Sequence, residues 1–132
     1  MNLTTCPELH AYAEVIGVRL QRHDNGPKGF YHHPTRTIST RRGLSIQAYK
    51  SSLAHELAHA TYGDEPTGHG HYDLRQEQRA DKWAANVLID PQAFEDAYIW
   101  HRGHLPAIAD ELEVTHHILT VWCDIHQTRI TA

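Results

Sequence analysis

The sequence lacks any apolar run approaching the roughly 18 residues that a membrane-crossing helix needs, so no transmembrane segment is expected. Its start, Met1 to Cys6, has neither the basic stretch nor the apolar stretch of a secretory signal, and the chain is expected to stay in the cytoplasm. A basic surplus is also missing. Lys and Arg number 12 against 16 Asp and Glu, and a formal net charge of −4 supplies no field to collect nucleic acid or anionic lipid. Cysteine is scarce: Cys6 and Cys123 stand near opposite ends, have no metal-ligand spacing, and read most simply as reduced thiols, with a disulfide between them left open. There is no internal repeat and no low-complexity tract. At 132 residues the chain has the size of one domain, 1–132, able to bury about two-thirds of its unfolded surface in a single core.

What remains is organised by hydrophobic period. Leu9, Tyr12, Ala13 and Ile16 recur at helical spacing after Pro7, which predicts a helix over 6–16. From Val18 to Thr40 short segments around 18–22, 30–33 and 37–39, punctuated by Asn25-Gly26-Pro27 and His33-Pro34, predict a small, mostly antiparallel sheet. Ser45 can cap a helix whose residues Ile46, Tyr49, Leu53, Leu57 and Ala60 lie on one face and which ends at Gly63. Residues 63–72 have no apolar period and predict a loop. Asp73-Leu74-Arg75-Gln76 resembles a capping box for a helix over about 74–89, stopped by Asp90-Pro91. A helical C-terminal segment, about 91–132, packs on the rest: one helix capped by Asp90, then patterns at Leu105 to Leu112 and from Ile118 after Thr115. The fold class read from this order is α+β.

The abundant residue is histidine, 13 in all, and His55-Glu56-Leu57-Ala58-His59 lies well inside the helix that follows Ser45. Residues four apart on a helix sit one above the other, so His55 and His59 can grip one zinc ion while Glu56 reaches the water beside it. With this composition an H-E-x-x-H arises by chance with probability of about 0.08, so the pentapeptide needs support from elsewhere.

A catalytic zinc needs three protein ligands and an open position. Glu77 is the leading third ligand, because the helical period carries it onto or beside the stripe of Ala80, Trp83 and Ala84, where an unpaired carboxylate is costly. Asp81, one turn on, can accept the free ring N–H of a ligating histidine. The plainer alternative makes Glu77 and Asp81 first-turn acids favoured by the helix dipole. His69 and His71 on the glycine-rich loop compete with Glu77 for the third position, against the plainer reading of solvated loop residues.

The combination His55-Glu56-x-x-His59, then Glu77-x-x-Ala80-Asp81, then Trp83-Ala84-Ala85-x-Val87-Leu88-x-x-Pro91 resembles the ImmA/IrrE family of zinc metallopeptidases. Thr37-Ile38-Ser39 resembles the strand before the active helix, and Ile108-Ala109-x-x-Leu112-x-Val114-Thr115 a C-terminal segment of that family. The resemblance implies a minimal zincin-like fold, His55, His59 and Glu77 as ligands of one zinc ion, and Glu56 as general base. It also implies a protein substrate, a helix-turn-helix transcriptional repressor whose cleavage derepresses phage, mobile-element or stress genes. The extended metzincin motif is absent, since Tyr62 and Glu65 occupy its glycine and histidine positions.

Other residues carry less. His69, His71, Tyr72, Tyr31, His32 and His33 each have the chemistry to stabilise an oxyanion, with no basis for choosing among them. His116-His117, His101 and His104 have no paired carboxylates at convincing spacing and read as surface or interface residues. Arg36, Arg41, Arg42 and Lys50 read as a modest basic cluster, by default a solvated face and alternatively one that meets an acidic stretch on a partner. Residues 105–127 scan like a helix-turn-helix but contain no Lys or Arg and four acids, Asp110, Glu111, Glu113 and Asp124, so they would repel DNA phosphates. A substrate strand is expected to pair along the sheet edge near Arg36 to Thr40. The leading expectation is a zinc endopeptidase; the alternative is a zinc-binding interaction protein that regulates a partner without proteolysis.

Overall fold

The computed structural model describes residues 1–126. Its elements are α1 (Cys6–Val15), β1 (Arg19–His23), β2 (Gly29–His32), β3 (Thr37–Arg41), α2 (Ile46–Tyr62), α3 (Gly70–Leu88), α4 (Pro91–Trp100), α5 (Leu105–Leu112) and α6 (His116–His126). This is an α+β chain with a helical C-terminal half. Gln127, the end of the segment that scanned like a helix-turn-helix, lies outside the described residues.

The sheet is small and mixed, in the order β1-β3-β2. β2 pairs antiparallel with β3, Gly29 opposite Thr40 and His32 opposite Thr37, whereas β1 runs parallel to β3 with Arg19 opposite Thr37. The parallel pairing arises because the chain crosses from β1 to the far edge before the turn at 33–36 brings β3 back between them. As the middle strand, β3 has Thr37, Ile38, Ser39 and Thr40 all buried. Both its edges are occupied, so the edge expected near Arg36 to Thr40 is not available to a substrate. The free edge on the site side is β2.

Arg36 takes positive φ in that turn, and its guanidinium donates to Ile16 O at 2.6 Å and to the Tyr31 hydroxyl at 3.1 Å. The turn is thereby fastened to the end of α1. Lys50 is 2 % exposed and pairs with Glu113 at 3.1 Å, while Arg42 pairs with Asp24. The basic cluster read from the sequence is therefore dispersed among structural contacts rather than gathered on one face.

Ser45 caps α2 by accepting from Ala48 N at 3.2 Å, and Gly63 ends it in the left-handed conformation, φ 68°, which a side chain would strain. Helix α3 begins four residues earlier than the pattern indicated, at Gly70. Asp73 lies inside its first turn rather than capping it. Its Oδ1 accepts from Thr67 N and Oγ1 at 2.9 and 2.8 Å, bonds that hold the carboxyl below the usual range and tie down the loop before α3.

Leu9 and Ala13 of α1, Ile38 of β3, Leu53 and Leu57 of α2, and the buried faces of α3 to α6 join in one hydrophobic cluster. Cys6 and Cys123 are free thiols; burial and then the Asp124 charge push the Cys123 thiol up to about 11. Among the described residues no helix is long and apolar enough to cross a membrane.

Candidate metal centre

Helix α2 is buried over most of its length, and the spacing of its apolar residues fixes how it rolls against the sheet and α3. That roll turns His55 and His59, one turn apart, towards α3. The chain reverses through residues 63–69, and α3 runs back along α2, so that His55 meets Asp81 and Glu77 while His59 meets Glu77. Glu77 Oε2 lies 2.9 Å from His55 Nε2, Glu77 Oε1 lies 2.9 Å from His59 Nε2, and the two Nε2 atoms are 3.1 Å apart.

The expectation that Glu77 is driven here by burial is corrected: its side chain is 58 % exposed. The buried stripe of α3 starts at Ala80, and the turns before it project beyond the core along the rim of the cleft. Proximity to two imidazoles, not desolvation, is what distinguishes Glu77. Among the described residues, His55, His59 and Glu77 bring their ligand atoms within 4.8 Å of one another, close enough to hold one metal ion. Two imidazole nitrogens and a carboxylate are a donor set that suits catalytic zinc.

The other ring nitrogens are engaged as well. His55 Nδ1 donates to Asp81 Oδ1 at 2.8 Å, and His59 Nδ1 to Asp64 Oδ2 at 2.9 Å. Each carboxylate fixes the tautomer that leaves Nε2 facing the centre. Asp64 is buried and also accepts from Arg79 Nη2 at 2.5 Å, and the Arg79 guanidinium lies over the Tyr62 ring, 4.0 Å from its centroid. Asp81 uses its second oxygen to accept from His117 Nε2 at 2.9 Å.

Electrostatics at the centre follow from these contacts. Burial opposes charge on His55, but the Asp81 hydrogen bond and the charges of Glu56, Glu77 and Asp81 outweigh it, and its pKa rises from about 6.5 to about 9. For Asp81, burial opposes ionisation, and the bonds from His55 and His117 overcome it and lower the pKa. Glu56 is 8 % exposed, and burial raises its pKa against the opposing pull of His55 and His59.

Glu56 lies on the floor of two adjoining cavities. One, about 370 Å³, is bounded by Gly29, Phe30 and Tyr31 of β2, by His59 and Glu77, and by the loop after α2. The other, about 440 Å³, is bounded by Lys28, Gly29, His55, Asp81, Thr115 and His117. A Cβ on Gly29 would stand 3.3 Å from Glu56 Cγ, so the strand approaches the carboxylate closely because residue 29 has no side chain.

His69 and His71 are exposed and are not brought to the cluster. Of the residues considered for an oxyanion, Tyr31 alone borders the first cavity, with its hydroxyl against His33 Nδ1 at 2.7 Å and Arg36. Two contributors were missed. Asp64 was legible only as an acid just past a glycine C-cap, and His117, read as unpaired, has Asp81 as its partner. His101 likewise pairs with Glu111 at 2.8 Å.

A sequence model of the IrrE N-terminal-like domain, a peptidase family, matches residues 13–120, most of the chain including the whole of α2 and α3. The chain belongs to the IrrE N-terminal-like metallopeptidase family. Among curated proteins no relative matches it. The zincin-like fold of this family implies zinc, and the donor set of the IrrE-like chain fits that ion on the geometry alone.

Proposed function

We propose that this IrrE-like chain is a zinc-dependent endopeptidase that hydrolyses one specific protein, a helix-turn-helix transcriptional repressor, and so derepresses phage, mobile-element or stress genes. The carrying observation is the convergence of three metal-binding atoms from His55, His59 and Glu77 beside the buried carboxylate of Glu56, at the base of a cleft along an edge strand. The repressor as substrate rests on the family resemblance.

His55, His59 and Glu77 would hold a zinc ion, which when bound would supply Lewis acidity beside Glu56. Glu56 takes a proton from the attacking water and returns it to the leaving amine, a task favoured by the raised pKa that burial gives it. Asp81 and Asp64 hold the two imidazoles by Nδ1, so neither ring has to reorient during turnover. A substrate strand adds to the outer edge of β2, which carries its backbone past Gly29 and over Glu56.

The test is incubation of the zinc-loaded protein with the purified repressor encoded beside it, in parallel with Glu56→Gln. Cleavage by the parent and none by the variant, with zinc retained in both, is the expected result. Tight binding of the repressor without cleavage by either protein would replace this reading with a non-proteolytic zinc-binding regulator.

A further inference from the structure

His117 of α6 lies 36 positions along the chain from Asp81, so only the packing of α6 against α3 brings the two together. Its Nε2 donates to Asp81 Oδ2 at 2.9 Å, while the other oxygen of the same carboxylate accepts from His55 Nδ1 at 2.8 Å. A carboxylate held at one oxygen can still rotate about its terminal torsion, which is broad. One held at both oxygens by donors on different helices cannot.

The location of His117 is itself fixed. The turn between α5 and α6 is fastened to α2 at two points: Lys50 Nζ to Glu113 Oε1 at 3.1 Å, and Thr115 N to Ser51 Oγ at 3.1 Å. Thr115 Oγ1 then accepts from Ile118 N at 3.2 Å and starts α6 with His117 in its first turn. Ile118 and Leu119, adjoining His117, are buried in the core. Helix α6 thus presents His117 from a rigid mount, although the imidazole is 67 % exposed.

We propose that His117 is a positioning residue of the metal centre, which acts through Asp81 to orient the His55 imidazole. The inference rests on the metal-site reading above. The C-terminal helix is on this account part of the zinc-binding apparatus and not only cover for the core. His117 is not one of the residues whose ligand atoms gather into the candidate metal cluster.

The experiment is a double-substitution cycle read by zinc affinity, measured by chelator competition on the full chain, with folding monitored by circular dichroism. His117→Ala is expected to weaken zinc binding by about tenfold, the lower end of the range for outer partners of metal ligands. His117→Gln, whose amide can still donate to Asp81, is expected to recover most of that loss. In an Asp81→Ala background His117→Ala should change nothing further. The cobalt(II)-loaded protein should show altered visible bands for His117→Ala and near-parental bands for His117→Gln. An unchanged affinity in His117→Ala, or the same loss with and without Asp81, overturns the proposal. Absence of zinc binding by the parent chain would instead overturn the metal-site reading itself.

Discussion

His59 Nδ1 and the carboxylate of Asp64 lie 2.9 Å apart, with the two side chains 10 % and 6 % exposed. The pair is joined across the end of α2: Gly63 turns the chain, Asp64 N donates back to His59 O, and the carboxylate returns beneath the ring. Arg79 meets the other oxygen, so the buried charge is compensated from two sides. Asp64→Ala removes the partner that fixes the His59 tautomer. Zinc affinity should fall by about 10–100-fold. The metal-free protein should lose roughly 1–3 kcal/mol, since a buried ring N–H is left without an acceptor. Chelator competition and urea unfolding check the two figures separately, and an undiminished zinc affinity would contradict the role given to Asp64.

Gly29 controls access to Glu56 by having no side chain. A Cβ there would stand 3.3 Å from Glu56 Cγ and 3.5 Å from Ser39 O, so the Gly29→Val side chain has to displace the Glu56 side chain or the strand. Glu56 is not one of the three residues of the candidate metal cluster, so zinc content should stay at the parental level. Cleavage of the substrate protein should drop by 10²-fold or more, on the order of what loss of a positioned general base costs. Zinc analysis alongside an activity assay tests this, and full activity in Gly29→Val would mean that Glu56 has room the structure does not give it.

The parts of this site that a sequence can display are those set by one helix. His55, Glu56 and His59 are related by a single helical turn, and the apolar period of α2 states which way they face. Glu77 and Asp81 share a helix face for the same reason, although the burial argued for Glu77 is not where its significance lies. Asp64 sits on non-helical backbone, where no period predicts direction, and its reach to His59 depends on the left-handed turn at Gly63. His117 meets Asp81 only through the packing of two helices far apart in the chain. The sheet follows the same rule: alternation marks strands, but the parallel pairing of β1 with β3 is a property of the path between them. The mismatched start of α3 has a local cause, since Asp73 spends its carboxylate on Thr67 rather than on capping.

Lys50 is nearly fully buried and its partner Glu113 is half exposed, an asymmetry with opposite consequences for the two residues. Glu113→Ala leaves an ammonium group in the interior without its carboxylate, and should destabilise the chain by about 1–3 kcal/mol. Lys50→Met removes the buried charge and keeps the unbranched stem, while Glu113 can turn to water. Its cost should be clearly smaller. Thermal or urea unfolding of both variants decides the matter, and equal losses would show that the pair, rather than the burial of Lys50, governs stability.

The pKa of His55, raised from about 6.5 to about 9 in the metal-free protein, makes zinc uptake a competition with a proton. Below about pH 9 the folded, metal-free chain holds a second proton on this imidazole, and a metal needs Nε2 without one. Zinc binding at pH 7.5 should therefore release about one proton from His55, and apparent affinity should climb about tenfold per pH unit until it levels off near pH 9. For stability without metal the sign is the reverse. A pKa higher in the folded than the unfolded chain contributes stability that is fully present below about pH 6.5 and is lost as the pH rises through about 9. The metal-free protein should thus be more stable near pH 6 than near pH 9.5, and the zinc-bound protein should lack that decline. Calorimetric titration with zinc in two buffers of different ionisation enthalpy counts the released proton. A proton count of zero at pH 7.5 would mean that His55 is already neutral there and that Asp81 orients the ring without charging it.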